Sequence, residues 1–152
     1  MATTETNTPT HVPKVCAYIT RGDGKLLVFE GPGHEGLQVP KGTVEPGEDP
    51  REALFREVLE ESGLGALAST THVATDVWTR RLSPHKRYVR HFYHATVYEP
   101  RDSWEHVVTG EGEESGETFE FSWVDPADVD GHEFALSLDD YVPALEGRTA
   151  FA

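Results

Sequence analysis

The sequence predicts an α/β domain in which a mixed β-sheet lies between helical layers. Three observations carry that expectation. The segment from Pro50 to about Ser62 has helix signals at both ends, while the segments on either side of it read as strands. The run Arg87–Glu99 alternates Val89, His91, Tyr93, Ala95 and Val97 against Tyr88, Arg90, Phe92, His94 and Thr96. Both faces are therefore substantially apolar or aromatic, as in a sheet covered on two sides. At 152 residues, with no internal repeat, the chain is one domain of ordinary size.

In chain order, residues 1–12 are rich in Thr, Asn and Pro and read as a disordered tail before a domain spanning 13–152. Lys14–Thr20 reads as a strand, Arg21-Gly22-Asp23-Gly24 as a tight turn, and Lys25–Glu30 as the returning strand. Gly31–Gly36 is a loop of the kind that borders functional sites. Leu37–Pro40 is a short extended piece leading into a loop that starts at Gly42. Pro46-Gly47 marks a turn. Asp49 then serves as N-cap, Pro50 as first helical residue, and Glu52 completes a capping box. Gly63 stands where a left-handed C-terminal residue is wanted.

Beyond the helix, His72–Arg80 and Arg87–Glu99 are strand candidates joined by a turn at Ser83-Pro84. Gly110–Gly116 is acidic and glycine-rich, hence a loop. Glu117–Val124 is a further strand, and Asp125-Pro126-Ala127-Asp128 a short capped turn. Ser137–Glu146 has helical character, although Pro143 blurs its boundary.

Composition narrows the function. The single cysteine, Cys16, excludes an internal disulfide framework, fits a reducing compartment, and in an apolar run reads as a buried inert thiol. No apolar stretch approaches the ~20 residues of a membrane span and the polar N-terminus lacks a signal-peptide core, so the expected location is cytoplasmic. A formal charge of −14 argues against a nucleic-acid polymer as partner. It leaves room for a small phosphorylated ligand neutralised locally. Arg80, Arg81, Lys86, Arg87 and Arg90 supply a basic segment in which no Asp or Glu occurs between Asp76 and Glu99.

The helix carries the chemistry. Glu57, Glu60 and Glu61 stand at i, i+3 and i+4, so their side chains share one face. Leu54, Phe55, Val58 and Leu59 take the other side. Like charges at this spacing cost a helix a few tenths of a kcal/mol per pair. A solvated acidic face is the bland explanation; a hard divalent cation, which takes carboxylate oxygens, is the chemical one.

The stretch Gly42–Leu64 resembles the signature of the Nudix hydrolases, G-x5-E-x7-R-E-U-x-E-E-x-G-U, with U a bulky aliphatic residue. Gly42, Glu48, Arg56, Glu57, Val58, Glu60, Glu61, Gly63 and Leu64 fill all nine fixed places. The resemblance implies the α/β/α sandwich of that family, and Mg²⁺- or Mn²⁺-dependent cleavage of a nucleoside diphosphate linked to another moiety, by attack of water on phosphorus. It implies Glu57, Glu60 and Glu61 as metal ligands and catalytic residues, with the backbone carbonyl of Lys41 as a further ligand. Gly42, Glu48 and Arg56 take supporting places; an Arg56–Glu48 ion pair would hold loop to helix, and an Arg56–Glu60 surface pair is the competing use.

Family members commonly place a further acid six residues before a Trp near the end of the last strand, which selects Glu117 before Trp123. Glu111, Glu113 and Glu114 read as a solvated acidic loop. Arg81, Lys86 or Arg90 are the candidates for gripping substrate phosphate, without a choice among them. Pro40-Lys41-Gly42 is similar to members acting on dinucleoside or diphosphoinositol polyphosphates, which usually carry Trp where Leu37 stands. The partner expected is a small nucleotide, with a homodimer also compatible. A non-catalytic nucleotide-binding module and diphosphate-ester isomerase chemistry are the competing functions.

Overall fold

The computed structural model describes residues 10–79 and 85–145. The expected tail therefore falls mostly outside it, and Thr10 already belongs to a strand. One mixed sheet contains β1 (Thr10–Thr20), β2 (Leu26–Glu30), β3 (Lys41–Thr43), β4 (Ala68–Thr79), β5 (Lys86–Thr96), β6 (Ser103–Val107) and β7 (Thr118–Val124). The strands run in the order β4-β5-β1-β2-β7-β6, with β3 beside β1. β1 and β5 are parallel along their whole length, from Thr10 opposite Lys86 to Thr20 opposite Thr96. The remaining strand pairs are antiparallel.

β1 is the spine, and its sequence says why. Val15 to Ile19 are at most 1% exposed, and period-2 alternation sends them to opposite faces. Val15, Ala17 and Ile19 pack with Leu27, Phe29, Phe119 and Phe121 beneath α1 (Pro50–Ser62), the one α-helix among the described residues, which adds Ala53, Leu54 and Val58. Phe29 lies 4.3 Å from the Phe119 ring and 5.1 Å from the Phe121 ring, centroid to centroid. Cys16 and Tyr18 pack on the other face with Leu26, Val28, Phe92, Val129, Leu138, Val142 and Leu145. Each large apolar side chain so buried contributes roughly 1.5–3 kcal/mol.

The second covering layer differs from expectation. Ser137–Glu146 does not form an α-helix among the described residues; 3₁₀ segments at Pro126–Gly131, Ala135–Ser137 and Val142–Leu145 cover that face instead. Pro143 has no N–H to continue a helix, and Leu136 and Ser137 hold φ of 57° and 54°. β3 replaces the expected loop at Gly42, and β6 is a strand that no apolar run announces. No helix among the described residues is long and apolar enough to cross a membrane.

Candidate functional site

α1 starts and stops where local chemistry dictates. The Asp49 carboxylate accepts from Arg51 N–H at 2.8 Å, and Glu52 accepts from Asp49 N–H at 3.0 Å. At the other end Gly63, at φ 81°, donates its N–H to Leu59 carbonyl. Between these caps the helix is turned further than its apolar stripe suggests. Phe55 and Leu59 are 44% and 50% exposed, while Glu61 is 2% exposed. An acidic residue has taken an inward place and two apolar ones an outward place, so a role other than packing sets the rotation.

β3 is what Glu61 turns toward. Lys41 N–H donates to Glu61 Oε1 at 2.9 Å. Burial pushes the Glu61 carboxyl well above its usual range; the Lys41 charge opposes this and the Glu114 charge adds to it. Glu57 lies beside Gly42. A Cβ at Gly42 would fall 1.9 Å from Glu57 Cδ, so only glycine leaves room for that carboxylate. Burial raises Glu57 too, with Arg56 opposing it.

Arg56 ties these parts together. Its Nε and Nη2 meet the two Glu48 oxygens at 2.9 Å each, its Nη1 meets Glu57 Oε1 at 2.7 Å, and its Nη2 also donates to Thr43 carbonyl. Glu48 is thereby held at a pKa of about 2 by the Arg56 guanidinium. Glu60 Oε2 stands 3.5 Å from Arg56 Nη1. Its carboxylate abuts Gly110, where a Cβ would come within 2.5 Å of Glu60 Cδ. The Glu60 carbonyl accepts from Thr109 N–H and from His106 Nε2, fastening the 106–110 segment to the helix.

Two lysines complete the site, both unforeseen as side-chain contributors. Lys14 Nζ donates to Thr43 Oγ1 at 2.8 Å and Lys41 Nζ to Gln38 Oε1 at 2.8 Å. Burial and the neighbouring Lys41 push the Lys14 ammonium down from its usual value, while Glu57 and Glu114 pull it back. Their signal is the strand register, which opposes Lys14 to Thr43 and Cys16 to Lys41. That register is invisible in a one-dimensional pattern.

The outlying candidates scatter. Glu117 is half-buried; its N–H donates to Glu114 carbonyl and its carbonyl accepts from Val108. Glu114, read from sequence as solvated, is the loop acid whose charge reaches both Glu61 and Lys14. Lys86 is exposed at the start of β5, and Arg81 lies outside the described residues. Arg90 is engaged within the fold. It is 4% exposed, meets Asp76 through Nε at 2.9 Å and Nη2 at 2.7 Å, and gives Nη1 to Leu136 carbonyl. It stacks on Phe92, on the sheet face away from α1. Asp76, half-buried, stands directly opposite on β4, so the Arg90 guanidinium is held in an ion pair across the β4–β5 register.

Among the described residues, no three His, Cys, Asp or Glu side chains form a ready-made cation cage. The donor types nonetheless suit a hard divalent cation. Glu61 is a buried carboxylate with one backbone hydrogen bond, and Glu57 shares only one of its oxygens with Arg56.

A family model for the NUDIX domain matches residues 10–145. The RNA pyrophosphohydrolase of Psychrobacter sp. (strain PRwf-1) is 37% identical over 81 residues, covering 53% of this chain and 46% of that protein. That of Halorhodospira halophila is 38% identical over 74 residues, covering 49% and 41%. The chain spans about half the length of the curated relatives it matches. Among solved structures, a Caenorhabditis elegans Ap4A hydrolase binary complex aligns at TM-score 0.65 and 19% identity, over 93% of this chain and 99% of that one. The NUDIX domain of Shewanella oneidensis NrtR, complexed with ADP ribose, aligns at TM-score 0.67 and 14% identity, over 91% and 88%. These two structures share the fold.

Proposed function

Because the chain belongs to the NUDIX domain family, we propose that it hydrolyses a phosphoanhydride bond in a nucleotide derivative with the help of Mg²⁺ or Mn²⁺. The observation that carries this reading is Glu61. A carboxylate 2% exposed, given one backbone hydrogen bond and pushed toward protonation, is costly to keep unless a cation is to be bound. Glu57, Glu60 and Glu61, with the Lys41 carbonyl, are the groups that would hold the ion. When bound, it would neutralise diphosphate charge and lower the pKa of a water.

The chain's own residues do the rest. Arg56 and Gly42 fix where Glu57 can lie, and Glu48 fixes Arg56. Such second contacts hold the geometry on which a displacement at phosphorus depends. The oxygen of water forms a bond to phosphorus as the bond to the bridging oxygen breaks. The bridging oxygen leaves with the departing phosphate, and a site carboxylate takes the proton of the water. Glu57, Glu117 and Glu114 are the acids available for that proton.

A mass-spectrometric screen in H₂¹⁸O tests the reading. Nucleoside triphosphates, dinucleoside polyphosphates, nucleotide sugars, ADP ribose and a 5′-triphosphorylated RNA should be offered with Mg²⁺ and with Mn²⁺. The expected result is one ¹⁸O in a phosphate product from a small nucleotide. The RNA arm covers the activity named for the curated relatives, which a charge of −14 disfavours for a long polymer. Tight nucleotide binding with no product across the panel would establish a binding module instead.

A further inference from the structure

The β4–β5 register skips a residue. His72 stands opposite Tyr93, Ala74 opposite Phe92 and Thr75 opposite His91, so Val73 has no residue across from it. On a regular strand, residues three apart point to opposite faces. The bulge cancels that rule and turns His72 to the face of Thr75, where its Nε2 lies 2.7 Å from Thr75 Oγ1. His91, directly across from Thr75, brings its Nδ1 to 3.1 Å from the same oxygen.

Two imidazoles from two strands therefore converge on one hydroxyl. A hydroxyl has a single proton to give, so it satisfies at most one ring nitrogen as an acceptor. Neutral rings that carry their protons on His72 Nδ1 and His91 Nε2 aim both lone pairs at this point, and a metal ion answers both. Tyr93 meets the His72 ring edge-on at 5.5 Å and carries the Arg51 guanidinium at 5.3 Å on its own ring, which steadies the pair. His72 and Thr75 are exposed and His91 is half-buried, so an ion reaches them from solvent.

We propose that His72 and His91, with the Thr75 hydroxyl between them, form a binding site for a divalent transition-metal ion of the Zn²⁺ class. Imidazole nitrogen suits Zn²⁺, Cu²⁺ and Ni²⁺, whereas Mg²⁺ takes oxygen. Among the described residues no third His, Cys, Asp or Glu joins the pair, so the Thr75 oxygen and waters complete the coordination. The site is separate from the glutamates. Thr75, His91, Val15 and Gly42 form one rung across four strands, which sets His91 about 10 Å from Gly42 at about 4.8 Å per strand. Each strand supplies one imidazole, so the ion fastens the edge strand β4 to β5.

The test is calorimetric titration of the full chain with Zn²⁺ in excess Mg²⁺, which keeps the glutamates occupied. One saturable Zn²⁺ site is expected. His72→Gln and His91→Asn each keep a polar atom near the lost ring nitrogen but supply no imidazole, and should each weaken binding at least tenfold. Glu61→Gln should bind Zn²⁺ within twofold of wild type. Zn²⁺ should raise the Tm of wild type and not that of the histidine variants. A second measurement needs no variant: Zn²⁺ should protect His72 and His91 from diethyl pyrocarbonate, mapped by mass spectrometry, while the exposed His85 and His132 keep reacting. The site is overturned if Zn²⁺ does not bind in excess Mg²⁺, if both histidine variants bind it within twofold of wild type, or if protection falls on other histidines.

Discussion

Replacing Gly42 by alanine isolates one contact of the site. Gly42 is not among the residues with positive φ, so its backbone accepts a side chain without strain. The new methyl would begin 1.9 Å from Glu57 Cδ and 2.2 Å from its Oε2. Ordinary carbon contacts lie at about 3.5–4 Å, so the Glu57 carboxylate must retreat by ~1.5 Å or more. Glu57 is a flexible side chain with solvent nearby, and a Gly→Ala change stiffens the unfolded chain by about 0.4–1 kcal/mol in the opposite sense. Stability should therefore change by less than ~1 kcal/mol, or about 2–4 °C in Tm. Activity should not survive as well, because an ångström of misplacement at a reacting centre costs on the order of a hundredfold, or about 2.7 kcal/mol. The assay is steady-state hydrolysis of the best anhydride from the panel by Gly42→Ala, Glu57→Gln and the double variant, with melts alongside. If the methyl acts through Glu57, the double variant is no slower than Glu57→Gln alone. Activity of Gly42→Ala within threefold of wild type, or losses that multiply in the double variant, would refute the reasoning.

Three further outcomes follow from the same geometry. Glu61→Gln should raise Tm in EDTA at pH 8 and leave it unchanged near pH 4. Burial lifts the folded-state pKa above the unfolded value of about 4.3, so stability present in acid is lost as pH rises through the folded pKa; the melts at both pH values decide it. Arg90→Met leaves the half-buried Asp76 with the Tyr141 hydroxyl in place of its guanidinium, and should lower urea stability by about 1–3 kcal/mol while KM stays within twofold. Glu120→Lys replaces the middle of a like-charge row, Glu30–Glu120–Glu105, aligned across β2, β7 and β6. It should add roughly 0.5–1 kcal/mol by thermal melt at low salt and little at 1 M salt.

The helix was legible to the residue, because its caps are made by neighbours in sequence: Asp49 with Glu52, Gly63 with Leu59. The glutamates and their arginine were legible for the same reason, all lying within one contiguous stretch. What stayed hidden depends on distant pairing. β3 is three residues long and contains Gly42; it is a strand only because β1 lies beside it. β6 reads Ser-Trp-Glu-His-Val, polar because it sits at the sheet edge where only one side needs cover. Arg90 shows the limit of alternation. The period tells that it shares a face with Phe92, but not that Asp76 waits across the β4–β5 register. Lys14, Gln38 and Lys41 are scattered among unremarkable neighbours, and only folding collects them.

The parallel pairing of β1 with β5 also fixes an order of events during synthesis. β1 is made early, yet its full-length partner begins only at Lys86. At about 5–20 residues per second, several seconds pass before that partner exists. In the interval Val15 to Ile19, which end up in the deepest part of the core, have β2, β3 and α1 available but not the strand that pairs along their whole length. Closing so long a loop is slow, since its entropy must be met before the contacts reward it. Refolding should accordingly be limited by β1–β5 docking, and substitutions along β1 should change the folding rate more than the unfolding rate.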